Sequence, residues 1–259
     1  MIKLLLKESR DDLRTLLNQH KLRPGVLTGA FNFGFCPICE TKTVFVERKE
    51  WLRDFYQCAR CGSIPRWRAL IHVLQTQFPN WRKLKIHESS PGGASSEKLK
   101  REGENYVASQ FFQDVSPGQG KHGFRCENLE KQTFADAEFD LVVTQDVLEH
   151  VLNPAAALAE IARTLKPGGA HVFTVPWYRG KPTRVRAVEH NGSIRHLENP
   201  DYHGNPIDPN GSLVVTEWGD DLCDFIARNS GLATSIVTLN DKSRGIVAEF
   251  IEVFISRKS

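Results

Sequence analysis

The stretch FDLVVTQDVLEHVLNPAAALAEIARTLKPGGAHVFTVP, residues 139–176, constrains the fold more than any other part of the chain. It opens on an apolar run, Phe139 to Thr144, too short for a buried helix and bounded by polar residues, which reads as a strand covered on both faces. Asn153-Pro154 is then a helix start, with a capping side chain followed by proline at the first helical position. Leu158, Ile161 and Leu165 mark the buried face of that helix, Pro167-Gly168-Gly169 stops it, and Ala170 to Val175 is a second apolar strand. A strand, a helix and a strand in this order imply a parallel sheet with helices on its faces.

The flanking sequence extends the pattern. Leu84 to Glu88 reads as a strand entering the turn Ser89 to Ser96, with a polar helix from about Ser95; Tyr106 to Ser109 reads as another strand. Thr234 to Leu239 and Val247 to Ile255 are expected as an antiparallel pair joined by the short turn Asn240 to Gly245. Tyr178 to Gly211 is rich in His, Asn, Pro and Gly with little periodicity, and so long a loop in a compact domain is usually functional. Upstream, Leu4, Leu5, Leu13, Leu16 and Leu17 have helical spacing ended by Pro24-Gly25. A second helix begins near Arg66, with Trp67, Leu70, Ile71 and Leu74 on one face.

Six cysteines stand in 259 residues, a length that buries about three quarters of its unfolded surface and needs no disulfide framework. The first residues have only a short Leu run broken by charges, unlike a secretory signal, and no apolar stretch approaches the ~20 residues that span a bilayer. The expected compartment is cytoplasmic, where cysteine spacing reads first as metal binding. Cys36-Pro-Ile-Cys39 and Cys58-Ala-Arg-Cys61 have the spacing of a four-Cys zinc ribbon, closed by four thiolates and therefore structural. Thr43-Val44-Phe45-Val46 supplies a short strand beside it, and iron in the same sulfur cage satisfies the same spacing. Cys126 and Cys223 have no partner at metal spacing and read as small buried hydrophobes.

Charge is localised in the same place. Between Glu40 and Leu70 stand seven basic residues (Lys42, Arg48, Lys49, Arg53, Arg60, Arg66, Arg68) and four acidic ones (Glu40, Glu47, Glu50, Asp54), an excess equal to the net charge of +3 of the whole chain. Any nucleic-acid binding must therefore come through this ribbon, and a pI of 8.5 falls below the value above ~9 expected of a nucleic-acid-binding domain.

The segment 139–176 resembles the class I S-adenosylmethionine-dependent methyltransferases, in the type 11 branch whose fourth strand runs into an Asp-x-x-Glu-His turn and whose next helix ends in Leu-Lys-Pro-Gly-Gly. Here those motifs are Asp146-Val147-Leu148-Glu149-His150 and Leu165-Lys166-Pro167-Gly168-Gly169. The resemblance covers roughly residues 82–257 and implies an α/β fold with a Rossmann-like seven-stranded sheet. The expected organisation is a helical segment over 1–30, a zinc ribbon over 31–65 and a methyltransferase domain over 66–259, with a substrate-side insertion at about 177–211.

The resemblance also implies a cofactor site for S-adenosylmethionine. Glu88, Ser89, Ser90, Gly92 and Gly93 would hold its methionine part, Ser109 and Gln110 its ribose, Glu127, Asn128 and Leu129 its adenine, and Gln145 and Asp146 would sit beside the sulfonium. Two motifs depart from the family: Ser89-Ser90-Pro91-Gly92-Gly93 replaces the usual Gly-x-Gly-x-Gly, and Ser109-Gln110 stands where an acidic residue usually binds ribose. The implied reaction is methyl transfer to a small-molecule acceptor at a hydroxyl oxygen. His150 is the first choice of base, its alternative being a histidine packed under the Asn153 helix. His203 and Asp146 complete the catalytic candidates. Trp177, Tyr178, His196, His203 and Asn205 are the substrate-side candidates, the alternative for the loop residues being ordinary turn chemistry. Two other readings remain: RNA methylation guided by the ribbon, and a cofactor-binding protein without turnover.

Overall fold

The computed structural model describes residues 29–204 and 210–259; the expected N-terminal helix and Asn205 lie outside them. The chain begins with a three-stranded antiparallel sheet, β1 (Phe31–Cys36), β2 (Thr41–Glu47) and β3 (Tyr56–Cys58), with a single helical turn α1 (Leu52–Phe55) between β2 and β3. Helix α2 (Pro65–Gln77) follows, opened by a proline whose missing N–H would have had no partner in the first turn.

Strands β4 (Lys85–Ser89), β5 (Asn105–Gln110), β6 (Gly120–Lys121), β7 (Phe124–Cys126), β8 (Phe139–Gln145) and β9 (Leu165–Thr174) enter the main sheet, with helix α3 (Gly93–Glu102) after β4 and helix α4 (Pro154–Thr164) after β8. The insertion carries β10 (Arg184–Val185), β11 (Ala187–His190), β12 (Ser193–His196), β13 (Tyr202–His203), β14 (Ser212–Leu213) and β15 (Thr216–Glu217). Helix α5 (Leu222–Ser230), β16 (Ala233–Val237) and β17 (Val253–Arg257) complete the chain.

The main sheet has the order β16-β17-β9-β8-β4-β5-β7-β6. Strands β7, β5, β4, β8 and β9 are mutually parallel, β17 is antiparallel to both its neighbours, and the two-residue β6 adds an eighth strand at the edge of the expected seven. From β4 the chain moves outward to β5 and β7, then crosses back to β8 and β9 on the other side. The order thus reverses between β4 and β8, and at such a switch point the connections part and leave a crevice at the carboxyl ends of the strands.

Both faces of the sheet are covered. One side packs Leu158 and Ile161 of α4 and Leu222 and Ile226 of α5 onto Phe139, Val142, Phe173 and Phe254. The other packs Leu70, Ile71 and Leu74 of α2 onto Ile86, Val143 and Val172, and that core runs on without a break into Phe45 and Tyr56 of the small sheet. Each such fully buried side chain contributes roughly 1.5–3 kcal/mol, so the ribbon is fastened to the main sheet by apolar packing as well as by polar contacts. No described helix is long and apolar enough to cross a membrane.

Three expectations are corrected. The helix of 154–164, capped by Asn153 Oδ1 accepting from the Ala156 N–H at 3.1 Å, ends before the Pro-Gly-Gly, which lies inside β9. Leu165 already pairs with Phe139, and the register shifts before Ala170 pairs with Leu141; a proline without an N–H is accommodated at such an irregularity. The C-terminal pair is joined by residues 238–252 rather than by a short turn. Carbonyls of this segment accept from the ribbon instead of from a strand: Lys242 from Asn32, Gly245 from Arg68 and Phe250 from Arg53. The irregular insertion, finally, forms three small antiparallel pairs among the described residues, two of them with strands from 212–217 just beyond it. One turns at Asn191-Gly192 with positive φ at both residues, the hairpin geometry that Asn-Gly favours.

Candidate active site and metal centre

A cleft of about 870 Å³ opens at the carboxyl ends of the parallel strands. Ser90, Gly92 and Gly93 reach it from the turn after β4, Gln110 from the end of β5, Gln145, Asp146 and His150 from β8 and its turn, and Tyr178 from beyond β9. The facing wall comes from elsewhere: Trp51, Arg53 and Asp54 around α1, Arg66 and Trp67 at the start of α2, Phe250 of the C-terminal segment, and Tyr202 and His203 of the insertion.

The turn after β4 is braced from below. Glu88 is fully buried and accepts from the Ser96 hydroxyl at 2.7 Å, the Gln145 carboxamide at 2.6 Å and the Tyr106 hydroxyl at 2.6 Å. Burial pushes its pKa up, and those three hydrogen bonds only partly counter the shift. Gly93 has φ +74°, and its bare Cα faces the Trp67 indole so closely that a Cβ would overlap the ring. Ser89 is buried beneath the cleft, and Ser109 is buried against His87, 2.8 Å from its Nε2. The three residues expected at adenine also lie off the cleft. Glu127 is buried and binds Arg125 at 2.6 Å and the Thr133 hydroxyl at 2.5 Å; Asn128 closes its own turn by accepting from the Glu130 N–H; Leu129 joins the apolar core.

Asp146 holds φ +53°, a strained position that Asp tolerates better than most residues. Its N–H donates to the Thr174 carbonyl at 3.0 Å and its Oδ1 accepts from the Thr174 hydroxyl at 2.9 Å. Oδ2 receives two guanidinium groups, Arg53 at 2.7 Å and Arg66 at 3.0 Å, and Arg66 also pairs with Asp54. Burial alone would raise the Asp146 pKa; the two arginines outweigh it and hold the carboxyl below its usual range.

Glu149, His150 and His203 bring one carboxylate oxygen and two ring nitrogens within 4.8 Å of one another. The His150 Nδ1 lies 2.8 Å from the Leu213 carbonyl, which can only accept, so Nδ1 carries the proton and Nε2 the lone pair. That Nε2 stands 3.8 Å from Glu149, and the His203 ring meets His150 edge-on at 5.2 Å. Burial lowers the pKa of both histidines, which favours neutral imidazoles able to accept a proton. Glu149 is buried with neither oxygen hydrogen-bonded; burial, with Asp146 nearby, raises its pKa well above the usual carboxylate range.

The four cysteines of the paired motifs converge. Cys36 Sγ lies 3.8 Å from Cys61 Sγ and Cys39 Sγ 3.9 Å from Cys58 Sγ. A tetrahedron with metal–sulfur bonds of about 2.3 Å has edges of about 3.8 Å, so the cage fits a zinc ion. Hydroxyls of Thr41, Thr43 and Ser63 stand 3.2–3.6 Å from the sulfurs. Arg68, fully buried close by, donates to the Tyr56 carbonyl at 2.8 Å and to the Gly245 carbonyl at 2.6 Å. It places a positive charge near what a bound ion would leave as a dianionic cluster. Cys126 is buried and Cys223 partly so, both apart from this cage.

Two substrate-side candidates lie off the cleft. Trp177 donates its indole N–H to the Gly219 carbonyl at 3.0 Å and packs on Phe254, and His196 is exposed at the end of β12. Sequence reasoning missed the ribbon side of the cleft altogether. Arg53 and Arg66 were visible as charge, but nothing in their spacing pointed to Asp146.

Residues 90–173 match the methyltransferase domain family. Among curated proteins, a stretch of 49 residues is 49% identical to a dimethylglycine N-methyltransferase of Parasynechococcus marenigrum, covering 19% of this chain and 18% of that protein. A stretch of 86 residues is 33% identical to a ubiquinone biosynthesis O-methyltransferase of Parvibaculum lavamentivorans, covering 30% and 34%. The chain spans no more than 39% of the length of the curated relatives it matches. Among solved structures, 1,6-didemethyltoxoflavin-N1-methyltransferase of Burkholderia thailandensis is similar with a TM-score of 0.49 and 17% identity, over 75% of this chain and 78% of that one.

Proposed function

We propose that this chain, whose residues 90–173 match a methyltransferase domain family, transfers a methyl group from S-adenosylmethionine to a hydroxyl oxygen of a small-molecule acceptor, and carries a structural zinc ion on Cys36, Cys39, Cys58 and Cys61. One observation carries the reading: Ser90, Gly92, Gly93, Gln110 and Asp146, all within the matched segment, open on the same cleft as His150 and His203.

S-adenosylmethionine supplies a methyl group already activated on a sulfonium, so the protein's main task is alignment, worth up to about 7–11 kcal/mol of a bimolecular barrier. Gly92, with open space where a Cβ would stand, lets a ligand approach the backbone after β4. Gln110 offers an uncharged donor and acceptor to hydroxyls, and Asp146 keeps a negative charge at the mouth of β8. His150, its proton fixed on Nδ1 by the Leu213 carbonyl, has the lone pair to take a proton from an acceptor hydroxyl. His203 stands beside it as a second acceptor-side base. General-base assistance of this kind is worth about 10²–10⁴ in rate.

The RNA reading loses two of the arginines that suggested it: Arg66 is paired with Asp146 and Asp54, and Arg68 is buried beside the cysteines. Arg60 is exposed and donates to the Thr41 hydroxyl at 3.2 Å. The acceptor is found by incubating host extract with the protein and methyl-labelled cofactor and following label by untargeted mass spectrometry. Label in a small hydroxylated compound supports the reading; label in RNA alone overturns it.

A further inference from the structure

The ribbon and the helix α2 that follows it place two arginines on the cleft for which neither zinc binding nor methyl transfer gives a use. Arg53 lies in α1, immediately before the strand that ends in Cys58, and Arg66 lies at the start of α2, five residues after Cys61. Both guanidinium groups meet the same oxygen of Asp146. We infer that Arg53 and Arg66 are positioning residues of the cofactor site, so that the metal-bound ribbon forms one wall of the cleft and holds Asp146 in place. This inference rests on the methyltransferase reading.

The contacts form a continuous path. Cys58 and Cys61 bracket a tight turn in which the Gly62 N–H donates to the Cys58 carbonyl at 2.9 Å. A metal ion fixing those sulfurs to Cys36 and Cys39 would fix the start of α2 and the end of α1 together. From that frame Arg53 donates through Nη2 to Asp146 and through Nε to the Phe250 carbonyl at 3.0 Å, while Arg66 bridges Asp146 and Asp54. Among the described residues, Arg53 and Arg66 are the cations within ion-pair distance of Asp146. Two aromatic contacts run parallel to these ion pairs: Trp67 lies on Gly93, and Trp51 lies 6.1 Å from Phe250.

Asp146 is held from both sides. Thr174 binds one carboxylate oxygen from the sheet, and the ribbon arginines bind the other. With the arginines gone, a partly buried carboxylate at positive φ would lose the partners that keep it charged and oriented. A structural zinc site would thereby set the geometry of a site it does not itself line.

The test uses the full chain with its metal content measured. Arg53→Met and Arg66→Met should each retain one metal ion per chain and weaken binding of S-adenosylhomocysteine at least tenfold by calorimetry. In an Asp146→Asn background the same substitutions should change affinity less than twofold, which a general structural defect would not reproduce. Metal-loaded variants that bind within twofold of wild type, or penalties that add in full to that of Asp146→Asn, overturn the inference. Should the variants lose metal, amide hydrogen exchange of residues 144–151 in the wild-type chain decides: faster exchange on chelation, reversed by zinc, supports the coupling, and unchanged exchange overturns it. A wild-type chain that binds no S-adenosylhomocysteine refutes the methyltransferase reading instead, and the exchange measurement still decides the coupling.

Discussion

Gly92 and Gly93 are adjacent, and the structure assigns them different reasons to be glycine. Gly93 sits at φ +74°, where an L side chain costs about 1–2 kcal/mol. A Cβ there would also overlap the Trp67 ring, with even the third-nearest atom, Cε2, only 2.6 Å away. Overpacking of that kind adds about 1–3 kcal/mol. Gly93→Ala should therefore lose about 2–5 kcal/mol of stability and displace Trp67 into the cleft. Gly92 has an extended backbone, φ −162° and ψ 146°, with no atom within 4 Å of where a Cβ would stand. Gly92→Ala should leave stability within about 0.5 kcal/mol of wild type, and so isolates the ligand. If the cofactor lies against this turn, the added methyl meets it and affinity falls at least tenfold, about 1.4 kcal/mol. Urea unfolding and calorimetric titration with S-adenosylhomocysteine measure the two effects separately. Wild-type affinity in Gly92→Ala would refute close backbone approach at this turn, and wild-type stability in Gly93→Ala would refute the packing of Trp67 upon it.

Other outcomes follow from the same geometry. His150→Gln and His203→Gln should lower kcat by about 10²-fold or more while leaving S-adenosylhomocysteine affinity within a few-fold; equal turnover in both variants removes them from the mechanism. Chelation, or Cys39→Ser, should lower the melting temperature, and added zinc should restore it only in the chelated wild type; Cys126→Ser should leave metal content at one ion per chain. His87 and His171 are fully buried, and burial lowers each pKa to about 3. The unfolded chain then binds protons that the folded chain refuses, so stability is full above about pH 6.5 and falls as pH drops toward 3. Each histidine removes up to about 1.4 kcal/mol per pH unit in that window. Urea midpoints at pH 7 and pH 5 check this, and a His87→Asn, His171→Asn double variant should show a shallower decline.

The sheet was legible because its strands are short apolar runs separated by explicit helix starts such as Asn153-Pro154, and periodicity reports burial directly. The cysteine cage was legible for a similar reason, since local spacing nearly determines it. The Asn191-Gly192 hairpin has a local signal, since Asn-Gly favours positive φ at both turn residues. Other features had no local signal at all. The ribbon's wall of the cleft depends on Arg53 and Arg66 meeting Asp146 across 93 and 80 positions of chain, and no period or motif encodes such a contact. The C-terminal segment looked like a strand because Val247 to Ile255 is apolar, but carbonyls of residues 238–252 are engaged by Asn32 and Arg53 of the ribbon and by Arg68 of α2. Candidate residues drawn from strand ends reached the cleft where a turn exposes them, as at Gly92 and Asp146. They did not where the side chain braces the turn from below, as Glu88 does.

The proposed function requires the cleft at the β4 and β8 ends to bind S-adenosylmethionine. Calorimetric titration of the zinc-loaded chain with S-adenosylhomocysteine tests it most directly. Saturable binding of one molecule per chain, weakened at least tenfold by Gly92→Ala, is the expected result. A titration with no saturable heat on folded, zinc-loaded protein would contradict it.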